Sequence, residues 1–340
     1  MATLVFSDQF LTTTLMYRVE KMRSMIDRPL RFLDDMLAMG KDEVAGGERV
    51  LISWKFGRHA NNTQLSTGYE PLNLSVSPIG TPGHDSWFYV QRPILYSGRE
   101  DTLNRDKHKV ISIIESRGED TELGLKADVE DEALRGDVPT MSDLNTLNGT
   151  DDATGFLEED IVGSQTNTVH NTSKATYATA AYFQNQTSDI ANSFSANGLT
   201  SLFKAHIRSE DLAQEPSKII GYGSLSLMEH LKRAVQTNER YVSESNDAGQ
   251  PVMSFGGRKL RVTSRLPNSG VNTTAQKWSL VFIDWSALRF VAQKGKCFSL
   301  TPFREISGYD VRAAFMNIFG QLCAPKGFGS HTLVVRGESW

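Results

Sequence analysis

Apolar residues recur at helical spacing along residues 104–135, with Val110, Ile113 and Ile114 on one side and Leu125, Val129 and Ala133 repeating four apart. The opposite positions are long charged side chains, no proline interrupts, and only Gly118 and Gly124 weaken the pattern. This spacing predicts one long amphipathic helix. A helix of about 30 residues spans roughly 45 Å, more than a compact enzyme core needs.

The period is different before it. Val50, Ile52 and Trp54 alternate with Leu51, Ser53 and Lys55, which predicts a strand. Residues 56–84 are rich in Asn, Thr, Ser, Gly and Pro, with alternation returning at Leu72, Leu74 and Val76, and residues 87–96 form a second apolar strand. Two strands around nearly thirty polar residues predict a long hairpin that projects from the body and lies on something else, most simply a neighbouring subunit. Residues 1–40 carry apolar positions broken by Pro29 and read as a mobile arm with short helices. The methionines from Met22 to Met39 suit either a soft partner surface or ordinary core contacts.

After the long helix, residues 137–192 are mostly polar, with Leu144, Leu147, Phe156, Ile161 and Tyr177 as isolated anchors, and predict surface connections with short strands. A second helix is predicted over 198–211, capped by Asn197 or Thr200. A strand at 218–222 leads into a helix from Ser224 or Ser226 to Thr237, with Leu227, Leu231 and Val235 on one face. Residues 252–262 form a hairpin turning at Gly256-Gly257, and 278–285 a buried strand. Short strands follow over 288–298 and 301–305. Residues 309–319 read as a closing amphipathic helix around Val311, Phe315 and Ile318, followed by strands at 321–323 and 331–335. No internal repeat is present.

The 340 residues, 39% hydrophobic and 22% charged, suit a soluble globular chain. A net charge of −4 argues against a protein held on nucleic acid by phosphate contacts. Two cysteines, Cys297 and Cys323, form no framework, and MATLVFSDQF lacks the apolar run of a secretory signal, so a reducing cytoplasmic setting is expected. No run is long enough to span a membrane.

Candidate chemistry is thin. None of the seven histidines forms a zinc-ligand pattern, and His206 and His230 read as satisfied or surface residues on packed helices. Glu158, Glu159 and Asp160, with Asp151 and Asp152 nearby, lack the spacing of a calcium loop and read as a solvated acidic face. Phe255-Gly256-Gly257-Arg258-Lys259 reads as a turn, not a phosphate cradle. Gly221-Tyr222-Gly223 before a helix suits an anion or, more simply, a tight turn. A hydrolase would need a converging acid and base, and Glu158 or Asp160 with His170 is the pair on offer. No cofactor or metal is expected, and no enzyme activity. A tail or adhesion component would carry repeats or a long stem, and neither is visible.

The order of these elements resembles the major capsid proteins of tailed double-stranded-DNA bacteriophages, the Hong Kong 97 fold. The likeness is carried by ILYSGREDTLN at 94–104, LNTLNG at 144–149, the aromatic stretch Tyr182-Phe183-Gln184-Asn185, residues 216–239, the Phe-Gly-Gly hairpin within 253–267, and the final run 278–335. The resemblance implies an α+β fold. Its parts would be an N-terminal arm (1–48), a projecting E-loop hairpin with its flanking strands (49–98), a peripheral domain with the spine helix (99–215), an apical domain (216–300) and a return to the peripheral domain (301–340).

It further implies a non-catalytic shell subunit, assembled in the host cytoplasm into pentamers and hexamers. The icosahedral head would enclose DNA without reading its sequence, and portal, scaffolding and cement or decoration proteins would be partners. An encapsulin-like compartment is the alternative on the same fold. Tyr69, Leu72, Leu74 and Trp87 of the hairpin, and Arg99, Glu100, Arg105 and Asp106 at the start of the spine, are the expected contacts between subunits. No lysine lies between Lys55 and Lys107, so an isopeptide weld from the hairpin is not expected. Since the sequence starts with its arm, no built-in scaffolding segment is expected either.

Overall fold

The computed structural model describes residues 29–55, 80–103, 113–135, 168–170, 172–173, 186–190, 194–213, 215–238, 254–263, 279–324 and 332–335. In chain order these form helix α1 (Arg31–Met39), strands β1 (Lys41–Val44), β2 (Val50–Lys55), β3 (Gly80–Asp85) and β4 (Phe88–Ser97), and helices α2 (Gly98–Leu103) and α3 (Ile113–Arg135). Next come β5 (Thr168–Val169), β6 (Thr172–Ser173), β7 (Gln186–Asp189), α4 (Leu199–Leu212), β8 (Ile219–Gly223), α5 (Leu225–Asn238), β9 (Ser254–Phe255) and β10 (Arg258–Val262). The chain closes with β11 (Ser279–Asp284), β12 (Arg289–Gln293), β13 (Ser299–Leu300), β14 (Arg304–Glu305), β15 (Val311–Cys323) and β16 (Thr332–Val335). They divide into a smaller unit, including residues 92–124 and 300–316, and a larger one, including 29–91, 125–299 and 317–340.

The larger unit is built on a six-stranded mixed sheet of order β7-β16-β11-β8-β10-β9. Every residue of β8 is buried, so both faces of the sheet are covered. Alternation along β8 and β11 divides the work. Ile219, Leu280 and Phe282 join Leu202 and Ala205 of α4 and Leu227, Met228 and Leu231 of α5 in one apolar cluster. Tyr222 instead meets Phe32 of α1 edge-on at 5.2 Å and Trp285 at 6.3 Å. Elsewhere in this unit β1 runs parallel to β12, and β12 pairs antiparallel with the end of β15 from Arg289↔Cys323 to Ala292↔Gly320.

Several sequence expectations hold. Strand β2 alternates buried and exposed from Val50 to Lys55. Leu125, Val129 and Ala133 are fully buried on α3, of which 113–135 are described. The β9–β10 hairpin turns at Gly256 and Gly257, both at positive φ, where a side chain would be strained.

Four features differ. First, β2 pairs not with the strand after Trp87 but with β3, from Val50↔Asp85 to Lys55↔Gly80. The sequence GTPGHD has no apolar alternation, so its strand is imposed by the partner's register. Second, residues 311–323 are one long strand, not a helix. Val311, Phe315 and Ile318 have helical spacing, but Phe315 is exposed while Ala313, Ala314 and every residue from Met316 to Cys323 except Phe319 are buried, and a segment covered on both faces carries no reliable period. Third, α4 has no side-chain cap from Asn197 or Thr200; Gly198 stands at its start, after a π-helical turn at Phe194–Gly198. Fourth, within the segment expected as a mobile arm, α1 is packed, with Phe32, Leu33 and Met36 buried. Leu72, Leu74, Val76 and the anchors between Leu144 and Tyr177 lie outside the described residues.

Candidate assembly surfaces

Three polar clusters anchor the described elements. The first fastens α1. Asp35 Oδ2 accepts the Tyr222 hydroxyl proton at 2.6 Å, its Oδ1 faces the Arg261 guanidinium at 3.0 Å, and the Trp285 indole N–H donates to the Tyr222 oxygen at 3.0 Å. From α3, Glu130 Oε2 accepts the Leu33 backbone N–H at 3.1 Å. Burial raises the Asp35 carboxyl above its ordinary value, and burial with the nearby carboxylate pushes the Tyr222 phenol well up. Asp35, Tyr222 and Trp285 are buried and hydrogen-bonded together, and they fix the position of the helix.

The second cluster lies at the base of β2 and β3. Ala324 N–H donates to His170 Nε2 at 3.2 Å, which places the ring proton on Nδ1, facing Asp85 Oδ2. The Trp54 indole N–H donates to the Ala324 carbonyl at 2.9 Å, and the His84 N–H donates to the His170 carbonyl at 3.0 Å. The His170 side chain is fully buried. It closes a structural junction and offers no acid or base to a substrate. Its proposed hydrolase partners, Glu158 and Asp160, lie outside the described residues.

The third cluster belongs to the smaller unit and contains the residues expected to face neighbours. Ser97 and Glu100 form a capping box at the start of α2: the Ser97 N–H donates to Glu100 Oε2 at 3.1 Å, and the Glu100 N–H donates to Ser97 Oγ at 3.2 Å. Arg117 then grips the same carboxylate with both Nη atoms, at 3.0 and 2.8 Å. Its hydrogen bonds, and that from Ser97, hold the Glu100 carboxyl below its ordinary value. Glu100 is therefore committed within its own chain, whereas Arg99 is exposed. Trp87, in the larger unit, is half-buried; its indole N–H donates to the Gly47 carbonyl at 2.7 Å and its ring lies 5.5 Å from Phe319. Tyr69, Leu72, Leu74, Arg105 and Asp106 lie outside the described residues.

The capping box was legible as Ser-x-x-Glu, but its Arg117 partner, 17 residues on, was not. Of the two helix histidines, His206 is satisfied as expected, its Nε2 lying 3.1 Å from the Gly256 carbonyl, and His230 stacks on Phe194 at 5.8 Å. Among the described residues no three His, Cys, Asp or Glu side chains are grouped to hold a metal ion, and no helix is long and apolar enough to cross a membrane.

No model of a known protein family matches the sequence, and no curated protein matches it. Solved structures do match, over nearly the whole length. The capsid of an empty GTA particle computed with C5 symmetry superposes with a TM-score of 0.63 at 12% identity, covering 99% of each chain. The capsid of cyanophage A-1(L) gives 0.60 at 13% identity, covering 98% of this chain and 99% of that one. The holo-SrpI encapsulin complex of Synechococcus elongatus PCC 7942 gives 0.58 at 10% identity, covering 97% and 94%. The chain has the Hong Kong 97 fold. At these identities the shared property is the α+β architecture of those chains.

Proposed function

We propose that this protein is the major capsid protein of a tailed double-stranded-DNA bacteriophage, a non-catalytic subunit that self-assembles into pentamers and hexamers of an icosahedral head. The observation that carries this reading is the superposition on a cyanophage capsid chain over 98% of this chain and 99% of that one, at a TM-score of 0.60. The arm, the projecting hairpin, the spine-bearing peripheral domain and the apical domain would then occupy 1–48, 49–98, 99–215 with 301–340, and 216–300. Assembly takes place in the host cytoplasm, with portal, scaffolding and cement or decoration proteins as partners. The missing hairpin lysine favours a shell held without isopeptide welds.

An encapsulin-like compartment is the second reading, because an encapsulin chain superposes almost as well as the phage chains. Electron microscopy of purified particles, with absorbance of nuclease-treated fractions, separates the two. Closed shells with protected DNA are expected; closed shells holding protein cargo and no DNA favour the compartment, and a monomer or dimer under all conditions overturns both. Within the shell reading, Trp87→Ala is expected to lower particle yield more than Glu100→Ala, since it removes a large apolar anchor. The reverse ranking, measured by sedimentation of expressed particles, would reject Trp87 as the more important contact.

A further inference from the structure

Helix α1 is too short to stand alone. It has nine residues, whereas isolated helices below about 12–15 residues are marginal in water. Its first intrahelical bond runs from the Asp34 N–H to the Leu30 carbonyl at 3.0 Å, which makes Leu30 the capping residue. Leucine has no side-chain oxygen, and no side-chain cap bond forms there. An ordinary cap accepts the N–H of the second or third helical residue, and here the third is Leu33.

That N–H is taken by Glu130 Oε2 at 3.1 Å, from a position 97 residues further along the chain. Glu130 is fully buried, and its carboxyl group stands where the helix dipole favours an acidic group. The rest of α1 is fastened to strands. Asp35 meets Tyr222 of β8 and Arg261 of β10, and the Gly40 carbonyl just after the helix accepts the Phe290 N–H of β12 at 2.7 Å. Phe32, Leu33 and Met36 are buried along the same nine residues. All of these residues lie in the larger unit.

We propose that α1 is a conditional strap: it is helical only while Glu130 of α3 caps it, and it passes that docking on to β8 and β10 through Asp35. On leaving Glu130 the segment loses its cap and its apolar burial together, and Leu30 has no oxygen with which to replace the cap. Linkage makes the effect reciprocal. A displacement of Glu130 frees Asp35 from Tyr222, and a break between Asp35 and Tyr222 frees Leu33 from Glu130. The strap thus couples α3 to the sheet that holds β8 and β10. The inference goes beyond the shell reading and does not depend on it, and its test needs no particles.

The test follows hydrogen exchange by mass spectrometry in the full chain, for wild type, Glu130→Gln, Leu30→Ser and the double variant. Glu130→Gln is expected to speed exchange of 31–39 about tenfold, as loss of a charged acceptor does, and to speed 219–223 and 258–262 by a smaller factor, with 50–55 unchanged. Adding Leu30→Ser supplies a local cap and is expected to return 31–39 to within about twofold of the rate in Leu30→Ser alone. A residue that only fills space in α3 would not be rescued in this way. Unchanged exchange of 31–39 in Glu130→Gln, or failure of the rescue, overturns the cap; faster exchange of 31–39 with 219–223 and 258–262 unmoved overturns the coupling. Tyr222→Phe approaches from the other end and decides the matter if Glu130→Gln does not fold. It is expected to speed exchange of 31–39 and, by reciprocity, of α3 around Glu130, and an unchanged α3 overturns the strap.

Discussion

The two units solve the problem of stability differently. In the larger one the biggest side chains, Trp285, Tyr222 and Phe32, are fully buried and meet around a satisfied hydrogen-bond network that ties α1 to the sheet. In the smaller one the described buried apolar residues are few and mostly small, Ile94, Ala313, Ala314 and Met316. Its order comes instead from part-exposed polar links: the capping box, the Arg117 grip on Glu100, the Gly98 N–H bonded to the Asp310 carbonyl, and the Arg312–Glu305 pair. Such links are individually weak because water competes for both partners. Among the described residues, the smaller unit is held more by such links than by burial.

Deleting a core ring should therefore have the largest effect, and only in the larger unit. Phe32→Ala removes a ring that touches both Tyr222 and Trp285 at 5.2 Å. The expected loss is about 3–5 kcal/mol, as for other buried aromatic truncations, seen as a lower urea midpoint for the full chain. The Asp35–Tyr222 bond should loosen with it, because Phe32 and Asp35 both engage Tyr222 from α1. A loss below about 1 kcal/mol, on the same scale of buried truncations, would mean that α1 is only lightly held, and the contrast between the units would weaken.

That contrast was only partly readable in the sequence. Where burial is one-sided, period and burial agree: Val50, Ile52 and Trp54 announce β2, and Leu125, Val129 and Ala133 announce the buried stripe of α3. Where a strand is covered on both sides, as in β15, the apolar pattern loses its period and chance spacings imitate a helix. Strand β3 was illegible for the opposite reason, since Gly80, Pro82 and Gly83 carry no pattern and are ordered by pairing with Lys55, Ser53 and Ile52. The contact residues fared similarly. Glu100 stood out as a charged residue at a helix start, yet what it contacts depends on Arg117, and no local pattern reports a partner that folding brings from a distant position.

A medium effect, confined to the smaller unit, is expected from Ser97→Ala. It removes the oxygen that accepts the Glu100 N–H at 3.2 Å, and loss of such a cap costs about 1 kcal/mol. Hydrogen exchange followed by mass spectrometry should show faster exchange in 97–103 and unchanged exchange in β8 and β11. Equal acceleration in both places would mean that the two regions open as one cooperative unit.

The smallest effect sharpens the same comparison, because it isolates the charge on Glu100. The fold holds this carboxyl below its ordinary value of 4.5, chiefly through the Arg117 hydrogen bonds. A depressed folded pKa means that the ionised form is favoured by the native state, so its contribution is complete above about pH 4.5 and disappears as pH falls through the lower folded value. Exchange protection of 97–103, corrected for the intrinsic rate, should therefore decline in the wild type as the pH falls below about 4.5. Glu100→Gln keeps one acceptor oxygen but no charge; its protection should be modestly lower at neutral pH and flat across the acid range. If the variant keeps the acid step, the step does not come from the Glu100 carboxylate and the Arg117 grip is not its source. Either result shows whether the charge on Glu100, and not only its hydrogen bonds, orders the start of α2.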